Sequence, residues 1–194
     1  IKCLNIYKVN SIHENISDNK KLNKQSRFLI DYLIAGNLFN YSFKVKNIYN
    51  IPKNTDLVIS ISTPFMSLLS TALLRYKNKS PNTLFIADSG DPFYRSKQTL
   101  RAPYFYFIEK FVYRCFDYLT IPSLKSLPAY NNLITKNKIK IIPQGFNMDN
   151  VNLNKYQKNK VITFAYCGVF YTDIRNPKFL FDFLLTQKKE FRFY

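Results

Sequence analysis

Glycine is scarce, with four in 194 residues. None of them falls into a GxGxxG or P-loop spacing, so the glycine-rich phosphate cradles of dehydrogenases and kinases are missing. A single histidine, His13, leaves no Ser/His/Asp set of hydrolase type and no cluster with metal-ligand spacing. Cys3, Cys115 and Cys167 are odd in number, far apart and flanked by apolar or aromatic residues. That pattern predicts buried thiols in a reducing compartment, and hence a cytoplasmic protein, in preference to disulfides or metal ligands. No apolar run approaches a membrane span and no charged-then-apolar leader follows Ile1. The expectation is a chain that neither crosses a membrane nor is exported.

Acidic residues are also few. Against 29 Lys and Arg stand 12 Asp and Glu, a formal charge of +17. Such an excess raises a positive potential that attracts polyanions: nucleic acid, anionic lipid or phosphorylated substrates. The cations are scattered along the whole chain, and no recognition helix, Cys/His finger or RNP-like aromatic strand accompanies them, which argues against specific nucleic-acid binding. A basic, non-catalytic binding module for polyanions stays open as an alternative on charge alone, as does a Lys-rich surface that is simply solvated. Hydrophobic residues make up 46% and charged residues 21% of the chain, values at which a core forms and wholesale disorder does not.

Strands and helices alternate in the pattern. Residues 1–9 read as a first strand, and residues 26–35 as a helix with Phe28, Leu29, Tyr32 and Leu33 on one stripe and a stop at Gly36. Residues 41–45 alternate like a strand. Residues 57–61 form a continuous β-branched run, as in a strand buried on both faces. Thr63 and Pro64 then supply an N-cap and first helical position ahead of Met66, Leu69, Leu73 and Tyr76. A second short strand at 84–87 runs into the polar turn Asp88-Ser89-Gly90-Asp91-Pro92.

Residues 103–120 have one apolar stripe of Phe105, Ile108, Val112, Cys115 and Leu119, with Glu109, Lys110, Arg114 and Asp117 off it. Residues 118–121 add a short strand, 126–135 a helix with Pro128 in its first turn, and 138–142 another buried strand. A polar segment, 151–160, lacks periodicity and reads as a linker. Beyond it, 161–167 is strand-like, and Asn176-Pro177 opens a helix through Phe179, Leu180, Phe183 and Leu184. The expected organisation is a Rossmann-like α/β domain over 1–150 with a mostly parallel, doubly wound sheet, a linker over 151–160, and over 161–194 the incomplete start of a second such domain with an extra 191–194 tail. So short a stub cannot bury its own core, which predicts a fragment or a stub packed on the first domain.

Four motifs occur in order: Leu57-Val58-Ile59-Ser60-Ile61-Ser62-Thr63-Pro64, Phe85-Ile86-Ala87-Asp88-Ser89-Gly90-Asp91-Pro92-Phe93, Ile139-Lys140-Ile141-Ile142-Pro143-Gln144-Gly145-Phe146-Asn147, and Phe164-Ala165-Tyr166-Cys167-Gly168-Val169-Phe170-Tyr171 continued by Arg175-Asn176-Pro177. With an aromatic-rich helix bearing Glu109 between the second and third, the set resembles the GT4-type bacterial glycosyltransferases of the GT-B fold. The resemblance implies two Rossmann-like domains facing across a cleft, the acceptor on the first and a nucleotide-sugar diphosphate mainly on the second. It further implies retaining sugar transfer to a glycan or lipid-linked glycan, in surface polysaccharide assembly. No cofactor and no protein-bound metal is implied, because backbone N–H groups at a helix start and cationic side chains can neutralise the departing diphosphate.

On that resemblance Asp88 and Asp91 become the candidate catalytic residues, able to hydrogen-bond acceptor hydroxyls or balance positive charge at the reacting sugar. The plainer reading of Asp91 is a turn residue before Pro92. Gly168, Arg175 and Lys178 are the candidate donor-binding residues: close backbone approach, a bidentate phosphate contact, and a cation in the first helical turn. His13 and Arg95 are the candidate acceptor contacts. The family's later paired-glutamate motif is not in this sequence, so little or no transfer is expected of these 194 residues alone, and an inactive remnant of the family is a further alternative. Aromatics together with excess cations also fit a protein resting on anionic lipid at the inner face of the plasma membrane, with the stripe at 105–119 itself assigned to the core.

Overall fold

A computed structural model of the chain describes residues 23–62, 64–78, 81–96, 100–145, 157–170 and 176–194. The expected strand at 1–9, His13, Cys3, the Thr63 cap, Arg175 and most of the expected linker lie outside the described residues. The chain divides into two compact units, Ile1–Gln144 and Gly145–Tyr194.

Among the described residues the first unit begins with helices α1 (Lys24–Ile34) and α2 (Leu38–Ile48). Strand β1 (Leu57–Ile61), helix α3 (Met66–Asn78), strand β2 (Leu84–Asp88), helix α4 (Phe105–Arg114) and strand β3 (Tyr118–Ile121) follow. A 3-10 turn (Leu124–Ser126), the short helix α5 (Leu127–Tyr130) and a second 3-10 turn (Lys136–Lys138) lead into strand β4 (Ile139–Ile141). The four strands form one parallel sheet in the order β1-β2-β3-β4, with Ile61 opposite Asp88 and Asp88 opposite Thr120. The α/β class and parallel sheet read from the sequence are therefore what the chain adopts.

Alternation along a strand sends successive side chains to opposite faces, and among the described residues one face is covered far more fully than the other. Phe85, Ala87, Leu119 and Ile121 point into a core completed by Phe65, Leu68, Ala72, Phe105 and Val112. The opposite face exposes Leu57, Ile59 and Ile61 of β1 together with Leu84 and Tyr118. Burial of β1 on both faces, expected from its unbroken apolar run, does not occur among the described residues: α3 packs on its Ser60 side, where the Thr71 hydroxyl donates to Ser60 Oγ at 3.0 Å. Strand β4 is likewise largely exposed where a buried strand was expected.

Four further expectations change. Residues 41–45 are helical, not extended: Leu38, Ser42 and Val45, at helical spacing, are the buried positions of α2, and Ser42 Oγ donates to the Met66 carbonyl of α3 at 3.3 Å. Packing against α3 overrides the β preference of Tyr41, Phe43 and Val45. Helix α4 stops at Arg114, so Leu119 belongs to β3 and not to a long helix. The stripe expected of α1 is mostly outward, with Phe28, Leu29 and Leu33 exposed and Tyr32 packed against the core. Cys115 is half-buried, but Cys167 is exposed, contrary to the expected buried thiol.

In the second unit strand β5 (Ile162–Phe164), helix α6 (Lys178–Leu185) and strand β6 (Phe191–Phe193) form one β-α-β turn whose strands pair in parallel. The segment expected as a tail is thus its second strand. Helix α6 begins at Lys178, one residue later than expected, with Pro177 in place of Asn176 at the N-cap position, while Asn176 Oδ1 accepts the Lys178 amide at 2.9 Å. Leu184 is buried while Phe179 and Leu185 are exposed. No helix among the described residues is long and apolar enough to cross a membrane.

Candidate active site

Parallel α/β sheets bind ligands outside the carboxyl ends of their strands. At that edge the Ser62 amide donates to the Asp88 carbonyl at 2.7 Å, the Ser89 amide to the Thr120 carbonyl at 2.9 Å, and the Ile142 amide to the Ile121 carbonyl at 2.9 Å. The pairing carries the four strand ends side by side into their loops. A side chain on Gly90 would come within 4.0 Å of Gln144 Nε2, so the loops after β2 and β4 adjoin.

Asp88 closes β2, half-buried, and its Oδ1 accepts the Thr120 hydroxyl at 2.6 Å. Strand β3 thereby fixes the orientation of this carboxylate. Asp91 is exposed at the tip of the turn; its backbone carbonyl accepts Ser89 Oγ at 3.2 Å. Among the described residues nothing hydrogen-bonds its carboxylate, which leaves both oxygens to a ligand or to water. Arg95 is exposed, with Nη1 3.3 Å from the Pro128 carbonyl. Three sequence-predicted residues, Asp88, Asp91 and Arg95, thus lie on one loop.

What holds that loop was not read as functional from the sequence. Ser89 is fully buried, its Oγ 2.9 Å from the Tyr113 hydroxyl and 3.0 Å from the Tyr130 hydroxyl. Tyr130 also reaches the Ser89 carbonyl at 3.2 Å. Burial pushes the Tyr113 phenol well above its usual value and that of Tyr130 up to about 12, so both stay protonated donors near neutrality. Glu109, although off the apolar stripe of its helix in the sequence pattern, is fully buried. Its Oε1 accepts the Phe93 amide at 2.7 Å and its Oε2 the Tyr94 amide at 3.1 Å. Burial raises its carboxyl above the usual range, opposed by those two amides and by the charge of Arg95.

Aromatic packing fixes the rest of the turn. The Phe93 ring stacks on Phe65 with centroids 4.1 Å apart, and the Arg101 guanidinium lies 4.8 Å over Phe93. The result is a short polar loop held from below by a carboxylate, two phenols and a ring stack, presenting one oriented and one open carboxylate. Such a pair can accept hydrogen bonds from sugar hydroxyls and stabilise positive charge developing nearby. Among the described residues no three His, Cys, Asp or Glu side chains gather as a metal site.

The second unit holds two of the other candidates. Gly168 has φ of 153°, a backbone conformation side chains rarely adopt, and a Cβ there would meet Tyr166 Oη at 3.0 Å. Lys178 is exposed and its Nζ pairs with Asp182 at 2.6 Å. A phosphate would compete with that carboxylate, a modest obstacle because exposed pairs of this spacing contribute only about 0.3–0.5 kcal/mol.

No protein-family model matches the chain, and no curated protein matches it. Among solved structures, the apo form of the lipopolysaccharide outer core galactosyltransferase WaaB is similar with a TM-score of 0.49 and 18% sequence identity. The superposition covers 87% of this chain and 41% of that one, so the chain spans about two fifths of the length of that structure.

Proposed function

We propose that the chain is the acceptor-side part of a glycosyltransferase of GT-B, GT4-like type, together with the opening of its nucleotide-sugar domain. The observation that carries this reading is the Asp88–Asp91 turn: a polar loop at the carboxyl edge of a parallel sheet, held rigid by Glu109 and Ser89, inside the sequence motif that resembles the family. Asp88 and Asp91 would face the acceptor hydroxyl and the anomeric centre, with Arg95 and His13 toward an acceptor phosphate or glycan. Gly168, Arg175 and Lys178 would meet the donor diphosphate, where helix-start amides and cations offset the leaving-group charge without a metal.

In this reading the reaction is a retaining hexosyl transfer from a nucleoside diphosphate sugar to a glycan or lipid-linked glycan, in surface polysaccharide assembly. It would proceed on the cytoplasmic side, at the inner face of the plasma membrane. The 194 residues alone are expected to turn over little or nothing.

The test is release of nucleoside diphosphate from a panel of nucleotide sugars, with lipid-linked acceptors present. It is run on this chain and on the longest polypeptide that its reading frame encodes. Acceptor-dependent release by the longer polypeptide, abolished by Asp91→Asn, supports the reading. Absence of release from every nucleotide sugar sinks it, and robust turnover by the 194-residue chain overturns the expected inactivity.

The charge of +17 favours one rival, a basic binder of nucleic acid. Such a protein would hold duplex DNA with a steep loss of affinity as salt is raised.

A further inference from the structure

Helix α4 buries Phe105, Glu109, Val112 and Tyr113, yet its outward face is aromatic too. Tyr104, Phe107 and Phe111 are 40%, 68% and 45% exposed. Positions 104, 107 and 111 follow one another at three- and four-residue spacing, so they line one stripe along the helix. Lys110 and Arg114 flank the stripe, Lys110 with its Nζ 5.6 Å over the Tyr106 ring. At the C-terminal end of the helix an open basin of about 700 Å³ is lined by Arg75, Tyr76, Arg114, Cys115, Asp117 and Lys138. Asp117 is matched there by Arg75, whose Nη2 lies 3.0 Å away, which leaves Arg114 and Lys138 to set the sign of the basin.

We infer that the outer face of α4, with the basin beyond it, is a docking surface for an anionic lipid bilayer. Three partly exposed aromatic rings offer about 300 Å², well short of the roughly 800 Å² per partner of a stable protein interface. A bilayer asks for less area at any one contact, because phenyl and phenol rings enter the headgroup region while cations beside them meet lipid phosphates. Charge complementarity points the same way: the two flanking side chains are cationic, and the whole chain carries +17. This deepens the membrane-side part of the function proposed above and rests on it for placing the protein at a membrane. Vesicle binding needs no sugar transfer, however, so the two can fail separately.

The experiment is flotation of the 194-residue chain with vesicles of equimolar phosphatidylcholine and phosphatidylglycerol, compared with phosphatidylcholine alone. Wild type is expected to float with the anionic vesicles and remain behind with the neutral ones. Phe107→Ser with Phe111→Ser should lower the binding about tenfold or more, and Lys110→Glu with Arg114→Glu by a similar factor. Both replace exposed or rim side chains, so circular dichroism should stay that of wild type. Lys44→Glu with Lys53→Glu reverses the same charge on α2 and in the segment before β1, outside the proposed face, and should change binding less than about threefold.

Failure of wild type to float overturns the proposal. So does a Phe107→Ser/Phe111→Ser variant that binds like wild type, or a Lys44/Lys53 control that loses as much as Lys110/Arg114, since charge over the whole body would then be the cause. A concentration-dependent dimer abolished by the Phe107/Phe111 pair would assign the face to a second copy of the chain and overturn it as well.

Discussion

Glu109 Oε1 accepts the backbone amide of Phe93 at 2.7 Å while its Oε2 takes the next amide, that of Tyr94, at 3.1 Å. A fully buried side chain on α4 thus grips the loop that follows β2. The amides need acceptors once they leave water, and the carboxylate needs donors once it is buried. Each therefore compensates the desolvation of the other, and the turn carrying Asp88 and Asp91 inherits its shape from the pair.

Glu109→Gln should lower stability by about 1–3 kcal/mol, because one loop amide would then face an NH2 group in place of an acceptor. Urea unfolding with an unchanged slope would report it. The pH dependence has a definite sign. Burial raises the Glu109 carboxyl, so the folded state holds its proton more tightly than the unfolded chain does. The corresponding stability is complete below the unfolded value and lost as pH rises through the folded one. The gap between wild type and Glu109→Gln should therefore be widest in mild acid and narrow toward neutrality. A gap that widens instead would mean that the two amides and Arg95 outweigh burial.

Ser89 offers one hydroxyl to two buried phenols. Ser89→Ala should cost about 1–3 kcal/mol, because Tyr113 and Tyr130 are left short of a partner. Tyr113→Phe in the Ser89→Ala background should then cost much less than alone, giving a coupling of about 0.5 kcal/mol or more in a double-mutant cycle. Tyr130, pushed up to about 12, contributes stability that is present below the unfolded phenol value and disappears as pH rises toward that figure. Alkaline unfolding should accordingly be shallower in Tyr130→Phe than in wild type.

These supports show where local sequence runs out. Strands β1, β2 and β3 were legible because apolar β-branched runs end in polar turns, and the Asp88–Pro92 turn was legible because Asp, Ser, Gly and Pro punctuate a chain. Glu109 falls off the apolar stripe of its helix, where a charge normally meets solvent. Its partners are amides of a loop outside the helix, which periodicity within a window cannot detect. Helix α2 escapes a local window for the same reason: Tyr41, Phe43 and Val45 alternate like a strand, and only the contact with α3 reveals that Leu38, Ser42 and Val45 are the inner positions. The hydroxyls of Tyr113 and Tyr130 carry no signal in the local sequence, because their common partner, Ser89, is distant from both along the chain.

Asp117 sits in a fork with Arg75, whose Nη1 and Nη2 both lie 3.0 Å from its carboxylate oxygens, and it also accepts the Phe85 amide at 2.8 Å. Partial burial pushes its carboxyl up, but the Arg75 hydrogen bonds, the Phe85 amide and the charges of Arg75 and Lys138 outweigh that and hold it below the usual range. The stability it supplies is present above the unfolded carboxylate value and lost as pH falls through the folded one. Asp117→Asn should cost about 1–2 kcal/mol near neutrality, a value discounted for the partial exposure of the pair. The cost should shrink in acid, the opposite trend to that expected of Glu109, and thermal melts of both variants across the same acid range would separate the two carboxylates.

The two loop aspartates should separate by how each is held. Asp91 is exposed and no described group hydrogen-bonds its carboxylate, so Asp91→Asn should shift stability by no more than about 0.5 kcal/mol. In a polypeptide competent for transfer, the same change should cut turnover about 10²-fold or more if the carboxylate acts on the acceptor or the sugar. Asp88 is oriented by Thr120, whose hydroxyl is 2.6 Å away, so Thr120→Val tests orientation without removing charge. It should slow transfer less than Asp88→Asn does and leave nucleotide-sugar affinity unchanged. Full turnover by Asp91→Asn would reduce Asp91 to the residue that shapes the bend before Pro92, and would leave Asp88 as the loop's only candidate for chemistry.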